Sequence, residues 1–184
     1  MSLSPGSSGE EPAPKDERAA QLESGQIELL YEQLPSNLLA TVLVGLLLTI
    51  ALRGSVPSTA LAVWIATVLV VTAARYWLLR RYRASHTPGS DAARWKFPLL
   101  AGVAVNGLLW GAAGGFFFVA DSSVLQTLLA FSLAGMSAGA VATLSSVRIA
   151  PLLFVVPALV PYTLRLLTFS GRTSVVMASM VAVF

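Results

Sequence analysis

The chain has 184 residues, 55% of them hydrophobic and 11% charged, with a net charge of +3 and no cysteine. Soluble domains carry about 25% charged residues, and seven of the nine acids here fall within residues 1–32, so the remainder cannot wet the surface of a soluble domain. Disulfides, a thiol nucleophile and cysteine-bound metal are excluded, and the basic residues gather at the ends of apolar runs rather than along a face that would bind nucleic acid.

Residues 1–25 are rich in Pro, Gly, Ser and Glu, and too poor in apolar side chains to offset the entropy of ordering. They predict a disordered tail, unlike the basic start of a signal peptide. Within 26–34, Ile27, Leu30, Tyr31 and Leu34 fall on one helical stripe, with Glu28 and Glu32 off it. This predicts a short amphipathic helix, either lying at the membrane interface or leading into the bilayer, with Pro35 dividing it from the first span.

Spans are predicted at about 36–52, 58–79, 97–119, 124–144 and 149–168, each apolar and bounded by charges or turn residues. Seventeen residues rise about 26 Å, the short end for crossing a hydrocarbon core of about 30 Å. The second span closes on Arg75, Tyr76, Trp77, Arg80 and Arg81, a mixture suited to an interfacial anchor. Arg75 to Lys96 then holds six of the twelve Lys and Arg residues around a flexible HTPGSD centre. Pro98 suits a first helical turn, and a tight turn at Ala120–Ser123 joins the third and fourth spans. The apolar run 175–184 rises about 15 Å, and is read as the start of a sixth span that continues beyond the chain. The fold class expected is therefore all-α, a polytopic transmembrane helical bundle of five full spans plus the start of a sixth.

Numbering the flanks alternately places Lys15, Arg18, Arg80, Arg81, Arg83, Arg94, Lys96 and Arg148 on one side, and Arg53, Arg165 and Arg172 on the other. The positive-inside rule makes the first side cytoplasmic, including the amino terminus. Arg80, Arg81, Arg83, Arg94 and Lys96 are then topology anchors, able also to meet anionic lipid.

Small residues at a spacing of four mark Gly107, Gly111 and Gly115 in the third span, and Gly135 and Gly139 in the fourth. Such stripes let helix backbones approach in lipid. The short turn predicts that these two stripes pack on each other within the monomer, ahead of a dimer face or a ligand cleft. Asn106 with Ser132 and Ser137 is a candidate intramembrane polar site, weighed against simple interhelical hydrogen bonding. Pro157 and Pro161 free carbonyls in the fifth span, making it a candidate hinge beside a plain structural kink. His86 stands alone in its loop, and Ser145 and Ser146 lack a basic partner. No catalytic motif, metal set or cofactor motif is present in the sequence, and no Asp, Glu or Lys lies deep in a span.

The order ELLYEQLP, a first span, W-x-A-T ending in ARYWLLRRYR, ARWKFPLLAG, NGLLWGAAG, SLAGMSAGAVATLSS and VVPALVPYTLRLL resembles a known arrangement. It is similar to the MASE-like polytopic amino-terminal membrane regions found ahead of cytoplasmic signalling domains in proteobacteria. The resemblance covers residues 26–184 and implies a sensory or anchoring module, acting as a homodimer. It further implies a GGDEF, GGDEF–EAL or histidine kinase output after residue 184, and leaves the stimulus unnamed. The competing expectations are a small transporter or channel subunit, or a membrane scaffold without a ligand.

Overall fold

The structure, a computed structural model, describes residues 15–84, 92–145, 147 and 149–168, with side chains other than those of 15–24, 26–28 and 92–94. It contains five helices: α1 Lys15–Ala51, α2 Ser58–Ala84, α3 Ala92–Phe116, α4 Ser123–Leu144 and α5 Ile149–Thr168. Each carries a stretch long and apolar enough to cross a membrane. The expected partial span at 175–184, His86 with its loop, Ser146, Arg148 and Arg172 lie outside the described residues.

The amino-terminal half of the architecture departs from expectation. Residues 15–25, assigned to a disordered tail, are helical; residues 26–34 take the second of their two expected placements, leading into the bilayer, with Pro35 inside one continuous helix instead of dividing two. Ala19, Ala20, Gln21 and Leu22 are good helix formers and extend the helix outward. Pro35 removes the amide that would pair with the Tyr31 carbonyl. Packing across the proline outweighs that loss, because Leu30, Tyr31, Leu34 and Leu38 are buried on one stripe that passes through it. The stripe continues through Thr41, Gly45, Leu48 and Leu52 at steps of three and four. Thr41 and Thr49 hide their hydroxyls by donating to the carbonyls of Asn37 and Gly45, at 2.9 and 2.8 Å. At the turn between α1 and α2, Gly54 adopts a φ of 87°, which a residue with a Cβ rarely takes.

Neighbouring helices run α1–α2–α3–α5–α4 and back to α1, with α1 also touching α3 across the ring. Each helix sends one stripe inward. In α2 it is Leu61, Trp64, Val68, Arg75 and Leu79; in α5 it is Ala150, Phe154, Ala158, Tyr162 and Leu166. The outward faces are as apolar as the inward ones: Leu47, Val70, Phe97, Phe116, Phe131 and Leu164 are all exposed. Water would not tolerate so continuous an apolar surface, whereas lipid requires one. The chain is a multi-pass membrane protein on this ground as well as on helix length.

Side chains clasp the end of the bundle where α3 passes to α4. Ser122 caps α4 by accepting from the Leu125 amide. Gln126 donates to the carbonyls of Val119 and Ala120, each at 2.9 Å, and Tyr162 donates to the Gln126 carbonyl at 2.9 Å. Arg165 Nε donates to the Gly115 carbonyl at 3.0 Å, satisfying one of the acceptors that the last turn of α3 leaves open.

Candidate functional site

The closest helix contact joins α3 to α5. A Cβ on Gly107 would stand 2.6 Å from the Phe154 carbonyl oxygen and 3.0 Å from the Pro157 ring. A Cβ on Gly111 would overlap the Pro157 carbonyl oxygen and stand 3.2 Å from the Pro161 ring. Pro161 has no amide to give the carbonyl four residues earlier, and that carbonyl belongs to Pro157. The freed oxygen therefore rests against the Gly111 Cα, where weak C–H···O contacts commonly form between helices. Gly114 lies between Tyr162 and Leu133, while Gly115 meets Pro161 at an ordinary 3.4 Å. Pro157 and Pro161, weighed as a hinge or a plain kink, form the packed wall of this contact inside an unbroken α5.

The expected pairing of the α3 and α4 glycine stripes is not what forms. Nothing lies within 4 Å of a Cβ on Gly135 or Gly139. Antiparallel neighbours in sequence need not be the tightest pair in space: α5 is inserted beside α3, and the proline rings fit its glycine groove. Gly135 and Gly139 face away from the bundle, as do the neighbouring Ala138 and Ala142.

At the opposite end of the bundle, Tyr31 of α1 stacks on Tyr82 of α2, with ring centroids 3.8 Å apart and planes within 5°. Trp95 of α3 meets Tyr82 edge-on at 5.6 Å, and its carbonyl accepts from the Tyr31 hydroxyl at 3.4 Å. Arg80 lies over the Tyr76 ring at 5.9 Å and Arg81 over Trp77 at 5.3 Å, all four on the exposed side of α2. Such Arg–aromatic pairs suit the level of lipid headgroups. Arg83 is exposed at the same end and Lys96 is half-buried there, while the Arg94 side chain is outside the described set. This is the basic end of the bundle.

Among the described residues, four polar or charged side chains are buried: Thr41, Arg75, Asn106 and Ser137, at 1%, 6%, 3% and 0% exposure. The candidate trio of Asn106, Ser132 and Ser137 does not come together. Ser132 is half-buried and donates to its own Leu128 carbonyl at 2.9 Å. Ser137 Oγ and Trp110 Nε1 are both sealed from solvent without a hydrogen bond. Leu133 touches the Gly114 position, and one turn toward the basic end from those two residues lie Ser137 and Trp110. Asn106 lies a further turn toward that end.

Arg75 is the residue that sequence reasoning misplaced. Its position within the second span keeps it out of the flank count, but the sequence groups it with the aromatic and basic residues of an interfacial anchor; it is instead turned into the bundle, with its Cγ, Nε and Cδ packed at 3.3–3.5 Å from the Cβ position of Gly102. The signal was present in the spacing: 61, 64, 68, 75, 79 and 82 share one stripe at steps of three, four and seven. Tyr76, Trp77, Arg80 and Arg81 lie off it.

Between α2 and α3 at the far end from the basic block, an apolar groove of about 670 Å³ is lined by Val63, Trp64, Leu109, Phe116 and Phe117 among others. Its lining matches an acyl chain and offers little to a polar substrate. Among the described residues, no three His, Asp or Glu side chains gather to hold a metal ion. No protein-family model, curated protein or solved structure matches this chain.

Proposed function

We propose that the chain is the sensory and anchoring region of a bacterial signalling protein, set in the inner membrane with its amino terminus in the cytoplasm. In this reading α5 and the residues after it relay a packing change to a cyclic-di-GMP or histidine kinase output. The observation that carries it is the interlock of α5 with α3. Backbone meets backbone at Gly107 and Gly111, so a displacement of α3 must move the last described helix with it. The open face of α4 around Gly135 and Gly139 supports a homodimer through which two outputs would be brought together.

Charge supports the orientation. Among the described side chains, Arg80, Arg81, Arg83 and Lys96 stand at one end, and Arg53 and Arg165 toward the other. Reporter fusions are expected to place Gly89 in the cytoplasm and Arg172 outside it; the reverse result would overturn the orientation. For the relay, residues through Phe184 are joined to a diguanylate cyclase domain and cyclic-di-GMP is measured. Gly111→Leu is expected to abolish regulated output by separating α3 from α5, and Gly135→Leu to abolish it by blocking the dimer. Unchanged output in both variants removes the relay.

Buried Arg75 and Asn106 favour a second reading, a small transporter or channel subunit. Against it, no Asp, Glu or Lys is buried among the described residues, which leaves no proton-carrying carboxylate inside the bundle. A ligand-free scaffold would need neither buried group.

A further inference from the structure

A buried arginine without an acceptor is costly. Its guanidinium carries five N–H donors that cannot lose their charge, and removing it from water costs several kcal/mol unless an anion and hydrogen bonds compensate. Arg75 is 6% exposed, and no hydrogen bond or ion pair to it is found among the described residues. Arg75 lies five residues inward of Arg80, about 7.5 Å along α2, so it is neither at the bilayer centre nor in the headgroup layer.

Asn106 has the same property. It is 3% exposed and makes no hydrogen bond among the described residues. The two share one stripe of α3. Arg75 rests on Gly102, and Asn106 follows Gly102 by four residues, so both occupy one face of α3 about one turn apart. Gly102 gives the arginine room, since any Cβ there would press on its stem. The residues are more than nine-tenths buried and give none of their side-chain N–H groups to another described residue, so the amide N–H₂ and the guanidinium fork form a donor set suited to a single oxyanion.

We propose that Arg75 and Asn106 form a phosphate-binding site that opens toward the basic end of the bundle. Arg75 supplies charge and a bidentate fork, and Asn106 supplies the further N–H donors. Arg80, Arg81 and Arg83 stand exposed at the same end of the bundle, on the outer side of α2, and their positive potential raises the local concentration of anions there. The phosphate is that of a lipid headgroup or a free anion, and the two sources share the same chemistry. The inference stands whether or not the chain relays a signal.

The test is thermal unfolding of the purified full chain in dodecyl maltoside micelles at constant ionic strength. The probes are inorganic phosphate, dioctanoyl phosphatidylglycerol and, lacking phosphate, dioctanoylglycerol. The wild-type Tm is expected to rise with at least one phosphate-bearing probe and not with dioctanoylglycerol. A response to the lipid alone assigns a headgroup, and a response to inorganic phosphate assigns a soluble anion. Arg75→Gln should raise the half-saturating concentration about tenfold or more, the effect of losing hydrogen bonds between charged groups. Arg75→Lys should fall between, keeping charge without the fork. A purely structural arginine would lower the Tm of the Gln variant yet leave the probe response intact, which overturns the site. No response of the wild type to either phosphate probe also overturns it. If Arg75→Gln does not fold, Asn106→Ala decides: a several-fold weaker response supports the site, and an unchanged one sinks it.

Discussion

Gly111→Ala is expected to destabilise the bundle by more than about 3 kcal/mol, the upper range for overpacking a rigid contact. Gly135→Ala is expected to leave stability unchanged or raise it by up to about 1 kcal/mol, the intrinsic helix preference for Ala over Gly. One methyl thus has opposite signs at two glycines that the sequence presents alike. At Gly111 the new Cβ would overlap the Pro157 carbonyl oxygen, and a backbone atom cannot rotate aside as a side chain can. The helices must separate, and α3–α5 contacts from Phe154 to Pro161 loosen with them. At Gly135 nothing lies within 4 Å, so the methyl meets no packing cost within the chain. Thermal unfolding of the two variants in micelles measures both effects. Equal destabilisation would mean that the α4 stripe is packed in the monomer, and equal indifference would mean that the α3–α5 contact is not close.

The contrast also shows what the sequence could carry. Helix extents in the later part were legible: 149–168 was read directly, and 124–144 differs from Ser123–Leu144 by one residue. Long apolar runs bounded by Arg, Pro and Gly leave few alternatives in lipid. Partner choice was not legible. A glycine every fourth residue states that something approaches, but α4 and α5 were equally available to α3. What chose α5 was the fit of Pro157 and Pro161, read from sequence only as a hinge or a kink. In α1, Pro35 was taken as a boundary from local rules, and tertiary packing of Leu30, Tyr31, Leu34 and Leu38 overrode it. Arg75 was misplaced because composition near a span end suggested an anchor, whereas its stripe position pointed inward.

Trp110→Ala is expected to cost about 3 kcal/mol, and Trp110→Phe under about 1.5 kcal/mol. Trp110 is fully buried less than two turns before the end of α3, meeting Trp64 edge-on at 5.7 Å, while Trp64 meets Phe117 at 5.5 Å. In lipid the loss on truncation is chiefly one of dispersion contacts, because the unfolded helices are not surrounded by water. That places the alanine variant at the low end of the range for buried aromatic residues. The phenylalanine variant isolates the indole N–H. Trp110 Nε1 has no hydrogen-bond partner, so removing it forfeits no bond and relieves an unpaired donor. Trp64 provides the opposite case one helix away. Its Nε1 donates to the Leu109 carbonyl at 2.9 Å and ties α2 to α3, so Trp64→Phe loses a bond that Trp110→Phe does not. Unfolding measurements on both phenylalanine variants should therefore rank Trp64→Phe as the more damaging. The reverse order would mean that Trp110 Nε1 is satisfied in the membrane, most simply by Ser137 Oγ, the unpaired hydroxyl at its level on α4. Ser137→Ala would then reproduce the loss, and would be silent if the donor is free.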